Sequence, residues 1–155
     1  MTAKDTYIVF ELGGAAYAVR SADVLHIDML EHVTPVPHAA EAVEGVVFSR
    51  GQVIPAVDLR TRFGLPRQAP TPKSRLIFLH AAQRTVALIV DSAREFHALP
   101  AESIRPIEET LHGIQGNYIQ GVVTLGDRLV LILDIAAVLD ADAFAPALSQ
   151  PARTS

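Results

Sequence analysis

Apolar residues along this chain come in short bursts rich in Val, Ile and Leu, cut by Gly and Pro. Residues 7–12 form one burst, Gly13-Gly14 follow, and residues 15–19 form another. This pattern predicts two strands joined by a tight turn, because Gly-Gly accepts the positive φ values that two-residue hairpin turns demand. The same reading gives strands 45–49 and 52–57 around Arg50-Gly51, and a hairpin of residues 118–125 and 128–133 around Gly126-Asp127. Strands 75–79 and 85–90, with a continuation through Phe96, lie between them, and Pro35 and Pro37 end the segment after Met29. About ten short strands result. No stretch keeps a helical period for three turns except residues 135–143. The fold is expected to be mainly β.

An internal repeat sharpens that expectation. Gly45-Val46-Val47 reaches Asp58-Leu59 after thirteen residues, and Gly121-Val122-Val123 reaches Asp134-Ile135 after the same thirteen. Val53, Ile54 and Val57 match Leu129, Val130 and Leu133, an offset of 76. Upstream, the strand holding Phe10 aligns with that holding Phe78, an offset of 68. The chain thus reads as two five-strand units, 6–65 and 74–140, with Pro66, Pro70 and Pro72 in the connection. Five antiparallel strands curl into a small barrel and so remove exposed edges. One such unit buries little core alone. We therefore expect a single domain, 6–142, made of two intertwined barrel subdomains around a shared hydrophobic core. A flexible tail, 143–155, would follow. Asp58 and Asp134, where the hairpins end, are placed to cap short helical turns at 59–63 and 135–139.

Composition narrows the chemistry. Of 155 residues half are hydrophobic, and thirteen Lys and Arg against seventeen Asp and Glu give a net charge of −4. That balance argues against a surface built to coat phosphates. The absence of Cys excludes disulfides, thiolate chemistry and cysteine-based zinc sites. No apolar stretch behind a basic start marks a signal peptide, and a spanning helix needs about twenty apolar residues where the longest clean runs here, 86–90 and 129–133, have five. A cytoplasmic protein is expected.

No catalytic set emerges. His26, His32 and His38 recur every six residues, but Pro35 and Pro37 interrupt any strand that would align them, and no carboxylate completes a metal site. Ser49 lacks the Gly that a nucleophile elbow needs two residues earlier, where Val47 stands. Gly113-Ile114-Gln115-Gly116 matches a nucleic-acid-clamping loop only superficially, without its flanking helices or a basic surround. Arg60, Arg62, Arg67, Lys73 and Arg75 fall within sixteen residues and raise the alternative of a small barrel that binds single-stranded nucleic acid. Few aromatics for base stacking and the acidic balance count against it. An interaction module remains.

Residues 45–64 carry a resemblance. Gly45-Val46-Val47-Phe48-Ser49-Arg50-Gly51, leading to Pro55-Ala56-Val57-Asp58-Leu59-Arg60, resembles the CheW family of chemotaxis coupling proteins. That family's signature is a Gly-Val-x-x-x-Arg-Gly strand pair followed by Pro-x-x-Asp-Leu-Arg. Ile8-Val9-Phe10 with Gly13, Ile89-Val90-Asp91, Ile104-Arg105-Pro106 and Leu125-Gly126-Asp127-Arg128 with Leu133-Asp134 match in order, across about 6–140. The resemblance implies two SH3-like five-stranded barrels, no enzymatic activity and no cofactor. It implies an adaptor that couples the cytoplasmic tips of chemoreceptors to the regulatory domain of the histidine kinase CheA. Such a protein is monomeric in isolation and ring-forming in arrays, peripheral to the membrane through receptors, with neither membrane insertion nor nucleic-acid binding of its own. A specialised array, such as one controlling pilus-based motility, is the alternative output.

By the same resemblance the receptor-binding groove would comprise Val24, His26, Gly45, Arg50, Ala93 and Phe96. Val24 and Phe96 would offer apolar contact, and Arg50 would donate to a carboxylate or carbonyl. Gly51, Asp58, Arg60, Gly126 and Asp134 would serve turns and caps. Three departures touch the groove: His26 where the family commonly has Glu, Phe48-Ser49 for Asn-Leu, and Ala93 for Val.

Overall fold

The computed structural model describes residues 4–107 and 118–139. Ten strands follow in order: β1 Lys4–Leu12, β2 Ala15–Arg20, β3 Val24–Met29, β4 Val43–Ser49, β5 Gln52–Asp58, β6 Arg75–Ala81, β7 Arg84–Val90, β8 Ser92–Pro100, β9 Ile119–Leu125 and β10 Arg128–Leu133. Two single-turn helices, α1 Leu59–Arg62 and α2 Ile135–Val138, follow β5 and β10. Their caps are the two expected aspartates: Asp58 accepts from the Arg60 backbone N–H and Asp134 from that of Ala137. The loop 113–116, the end of the helical stretch 135–143 and the tail 143–155 lie outside the described residues.

The strands form two five-stranded sheets, ordered β8-β1-β2-β10-β9 and β3-β6-β7-β5-β4. Moving each strand five places along the chain converts one order into the other, so the repeat is a pseudo-two-fold of the whole molecule. Neither sheet belongs to one repeat. The first takes two strands from the first repeat and three from the second, and the other sheet reverses the shares. The expectation of wholly antiparallel units is corrected: β2 and β10 pair parallel, as do β5 and β7. Hairpin turns dictate antiparallel pairing only between consecutive strands. These two seams join strands from different repeats, and the pseudo-two-fold sets their direction.

The outer strands of each sheet are drawn together by one short bridge. After β3 the chain returns so that Thr34 and Val46 exchange backbone hydrogen bonds of 2.9 and 2.8 Å. After β8, Arg105 and Val122 do the same at 2.8 Å. The Gly-Val pattern shared by the two repeats has its reason here. A Cβ on Gly45 would overlap the Thr34 carbonyl oxygen, and one on Gly121 would lie 2.8 Å from the Arg105 oxygen. Only a residue without a side chain admits the closing strand.

Burial explains why the strand sequences are apolar runs and not alternating patterns. On β1, Tyr7 and Val9 belong to a cluster drawn only from the first sheet, while Ile8, Phe10 and Leu12 join a second cluster. On β6, Leu76 and Phe78 fill the interior of the other sheet, while Ile77 and Leu79 join that same second cluster. The second cluster takes residues from both sheets and from α1 and α2, and is the shared core between the barrels. Both faces of the central strands are therefore buried.

This alternation corrects the upstream offset. The hairpin turns place Leu12 opposite Ala15 and Ala81 opposite Arg84, so Phe10 corresponds to Leu79 at 69 residues and not to Phe78 at 68. Phe10 and Leu79 both face the shared core, whereas Phe78 faces a barrel interior. A one-residue slip exchanges the two faces of a strand. Matching the large aromatic rings chose the wrong face.

The β6–β7 turn holds Ala82 and Gln83 at φ 53° and 63°, values that favour Asn and Gly. Replacing Ala82-Gln83 with Asn-Gly is expected to stabilise the protein by about 1 kcal/mol, measured by chemical denaturation. No gain would mean the turn is already relaxed.

Candidate functional site

On β5, Val53, Pro55 and Val57 share one face, and Val57 lies in the shared core. The same face runs outward along the hairpin to its tip. There Phe48 and Val53 stand opposite each other across the β4–β5 ladder, 75% and 65% exposed. Two large apolar side chains paired in water cost free energy that nothing within the fold returns. Between them the turn carries Arg50 at φ 52° and Gly51 at φ 80°. A non-glycine residue in this region is strained by about 1 kcal/mol, and Arg50 makes no hydrogen bond or ion pair among the described residues. A cation thus stands unpaired at the end of an apolar strip that is continuous with the core.

His26 sits beside this tip. Its ring stacks on Phe78 at 4.2 Å between centroids, and Nε2 lies 3.4 Å from Ser49 Oγ and 3.3 Å from Asp28 Oδ2. The imidazole therefore ties β3 to β4 at the mouth of the barrel. Val24 and Ala93 occupy corresponding positions on β3 and β8, opposite Leu79 and Phe10, and both pack against the shared core. Phe96 stands 64% exposed on the outer strand β8. The fold thus brings His26 and Ser49 together next to Arg50, and sets Val24 and Ala93 on one core. Gly45 is buried, and its visible requirement is the close approach of Thr34.

Two features escaped the sequence reading. The first is Asp91, which follows β7. Arg60 Nε and Nη2 donate to its two carboxylate oxygens at 2.9 and 2.7 Å, the Gly13 N–H donates at 2.9 Å, and Arg60 Nη1 reaches the Pro66 carbonyl at 3.0 Å. The carboxylate so pins α1 and the β1–β2 turn, and the same Arg60 side chain holds the connection between repeats. Burial works to raise the Asp91 pKa, yet the Arg60 and Gly13 hydrogen bonds and the guanidinium charge hold it below the usual range. The resemblance places Arg60 beside the Asp58 cap, and there its backbone N–H donates at 3.1 Å. The motif Ile89-Val90-Asp91 was visible, but its partner lies 31 residues away. The second feature is a cavity of about 530 Å³ beneath the connection, with Leu30, Val33 and Ile89 as apolar lining and Arg60, Arg67 and Asp91 among its polar groups.

The cations of residues 60–75 are largely committed to the fold. Arg62 Nε donates to the Val138 carbonyl and its guanidinium covers the Tyr118 ring at 4.6 Å. Arg67 Nη2 forks onto Glu44 at 2.5 and 2.7 Å, and Arg75 Nη1 reaches the Pro72 and Ser74 carbonyls. Guanidinium groups spent this way make a poor phosphate-tracking stripe. On β8, Glu95 accepts from His97 Nε2 at 3.0 Å and from Arg128 Nη2 at 2.6 Å, and these two bonds hold its pKa below the ordinary value. Among the described residues no helix is long and apolar enough to cross a membrane.

Known proteins share this arrangement. Residues 6–143 match the family model of the CheW-like domain. The chain is 32% identical to the chemotaxis protein CheW of Bacillus subtilis, over 86% of this chain and 85% of the relative. It is 28% identical to that of Klebsiella aerogenes, over 93% and 87%. The scaffolding protein TtCheW from Thermoanaerobacter tengcongensis superposes with a TM-score of 0.82 at 25% identity, over 92% of this chain and 96% of that one. With its two five-stranded sheets, its paired closing glycines and its Arg-Gly and Asp-Leu-Arg elements in place, the chain belongs to the CheW-like family of chemotaxis scaffold proteins.

Proposed function

We propose that this protein is a non-enzymatic adaptor that joins the cytoplasmic tips of chemoreceptors to the regulatory domain of a histidine kinase, CheA. The observation that carries this reading is the apolar strip running from the shared core to Phe48 and Val53, ended by the unpaired and strained Arg50. A receptor tip is a helix, and a helix docks by laying aliphatic side chains on such a strip while a carboxylate meets the cation. Val24, His26, Ala93 and Phe96 extend the contact along β3 and β8. The adaptor works in the cytoplasm, held at the membrane only through its receptors.

Titration calorimetry against a receptor-tip helical hairpin and against an isolated kinase regulatory domain tests the reading. Binding to both is expected, with no turnover of any substrate, and failure to bind either overturns it. Arg50→Glu should weaken receptor binding on the order of 10- to 100-fold, the effect of reversing one charge in a docked interface. Its melting temperature should stay near that of the parent, since an exposed unpaired residue contributes within about 0.5 kcal/mol. Arg50→Gly separates the roles further. It should raise stability by relieving the positive φ while lowering receptor affinity. A variant that loses stability instead would make Arg50 a structural residue.

A further inference from the structure

We propose that this chain forms an exchanged dimer, in which residues 4–63 of one copy assemble with residues 75–139 of a second. The argument begins with the sheets. Each is a composite, joined across β1–β8 and β2–β10 in one and across β3–β6 and β5–β7 in the other. A first repeat without a second repeat leaves four strands with an unmatched edge. The second repeat of another molecule offers the same four pairings, the same shared core and the same Asp91–Arg60 pin. No contact in either barrel distinguishes the two arrangements.

What distinguishes them is the path of one connection. Between Phe63 and Arg75 the chain contains Pro66, Pro70 and Pro72, and it is the single covalent crossing between repeats. Its path beyond Leu65 is held by Arg60 Nη1 on the Pro66 carbonyl, by Arg67, which pairs with Glu44 and reaches Asp58 and Thr61, by the Leu30 N–H on the Ser74 carbonyl, and by a local turn in which Thr71 N donates to Ser74 Oγ. Exposed pairs of this kind contribute about 1 kcal/mol or less. Stretched out, eleven residues reach on the order of 35 Å, enough to carry the chain from one double barrel to its neighbour. A connection of about eleven residues imposes an effective concentration on the order of 1 mM between the two repeats. Monomers therefore dominate in dilute solution, and exchange competes once the chain concentration approaches that value. Because the two forms interconvert only through separation of the repeats, the dimer persists after dilution. It would carry two complete Arg50 hairpins on one particle.

The test uses the full chain and its lack of cysteine. Thr6 on β1 and Ala98 on β8 are exposed register partners across a seam between repeats. The T6C/A98C variant is unfolded in denaturant, refolded at chain concentrations from about 10 µM to about 1 mM, separated by size with light scattering, and closed with a short bis-maleimide. The expected result is a dimer fraction that rises to about half at the highest concentration. That dimer should survive denaturing electrophoresis after cross-linking, because each link then joins two chains. Monomer at every concentration overturns the proposal. So does a dimer that gives only monomer bands, since the two copies would then merely touch at their surfaces. Neither result bears on receptor binding, which the Arg50 variants test separately.

Discussion

Gly45→Ala is expected to cost about 3 kcal/mol, lowering the melting temperature of a chain this size by about 6–12 °C. The new Cβ would overlap the Thr34 carbonyl oxygen and lie 3.0 Å from Pro35 Cα, both backbone atoms with nowhere to yield. The segment after β3 must move away, and the two hydrogen bonds between Thr34 and Val46 that close the barrel go with it. Gly121→Ala is the internal control. Its Cβ would meet Ile104 Cγ2 at 2.7 Å, a side-chain atom that can rotate, and the Arg105 oxygen at 2.8 Å. It should cost about half as much. Calorimetric melting of both variants decides the matter, and equal costs would refute the account of Gly45 as the tighter approach. The comparison also bears on the proposed groove. If Gly45 matters to receptors only by closing its barrel, Gly45→Ala should lose affinity in proportion to the folded fraction and no further.

Asp91→Asn should destabilise the protein by about 2 kcal/mol at neutral pH and lower its melting temperature by about 4–8 °C. The amide keeps the shape but leaves the Arg60 guanidinium, whose side chain is only 13% exposed, without its counter-charge. Full burial would make the cost larger. Asp91 retains 30% exposure, and water screens part of the loss. The pH dependence follows from the depressed Asp91 pKa. Such a carboxylate contributes in full above its unfolded value of about 3.9, and the contribution fades as the pH falls through the folded value. The gap between parent and variant should therefore be widest at pH 5–7 and close towards pH 3, read by urea denaturation at each pH. A gap that stays constant on acidification would remove the charge from the explanation. Arg60→Ala should show the same acid profile, and the double variant should cost less than the two single costs combined.

Much of the molecule was legible in the sequence because the relevant physics is local. Gly13-Gly14 marked a turn by its tolerance of positive φ, and Asp58 and Asp134 marked helix starts by what a carboxylate can accept. The thirteen-residue spacing from Gly to Asp marked a repeated hairpin. Each of these involves residues a few positions apart. The absence of Cys was equally readable, and Arg50-Gly51 could be placed at a hairpin turn from its sequence.

Other features depend on distant partners and had no local signal. Spacing could not say that Asp91 would hold Arg60 and Gly13 at once, because those groups meet only when two repeats interlock. Nor could it say that Phe10 corresponds to Leu79, since ring size is visible in a sequence and strand face is not. The chain by itself determined its strands, turns, caps and duplication, all set by neighbours along the backbone. The tertiary structure alone decided which strands share a sheet, which parallel seams join the repeats and that Arg50 has no partner among the described residues. Those choices follow from burying both faces of the central strands, a condition that only long-range packing imposes.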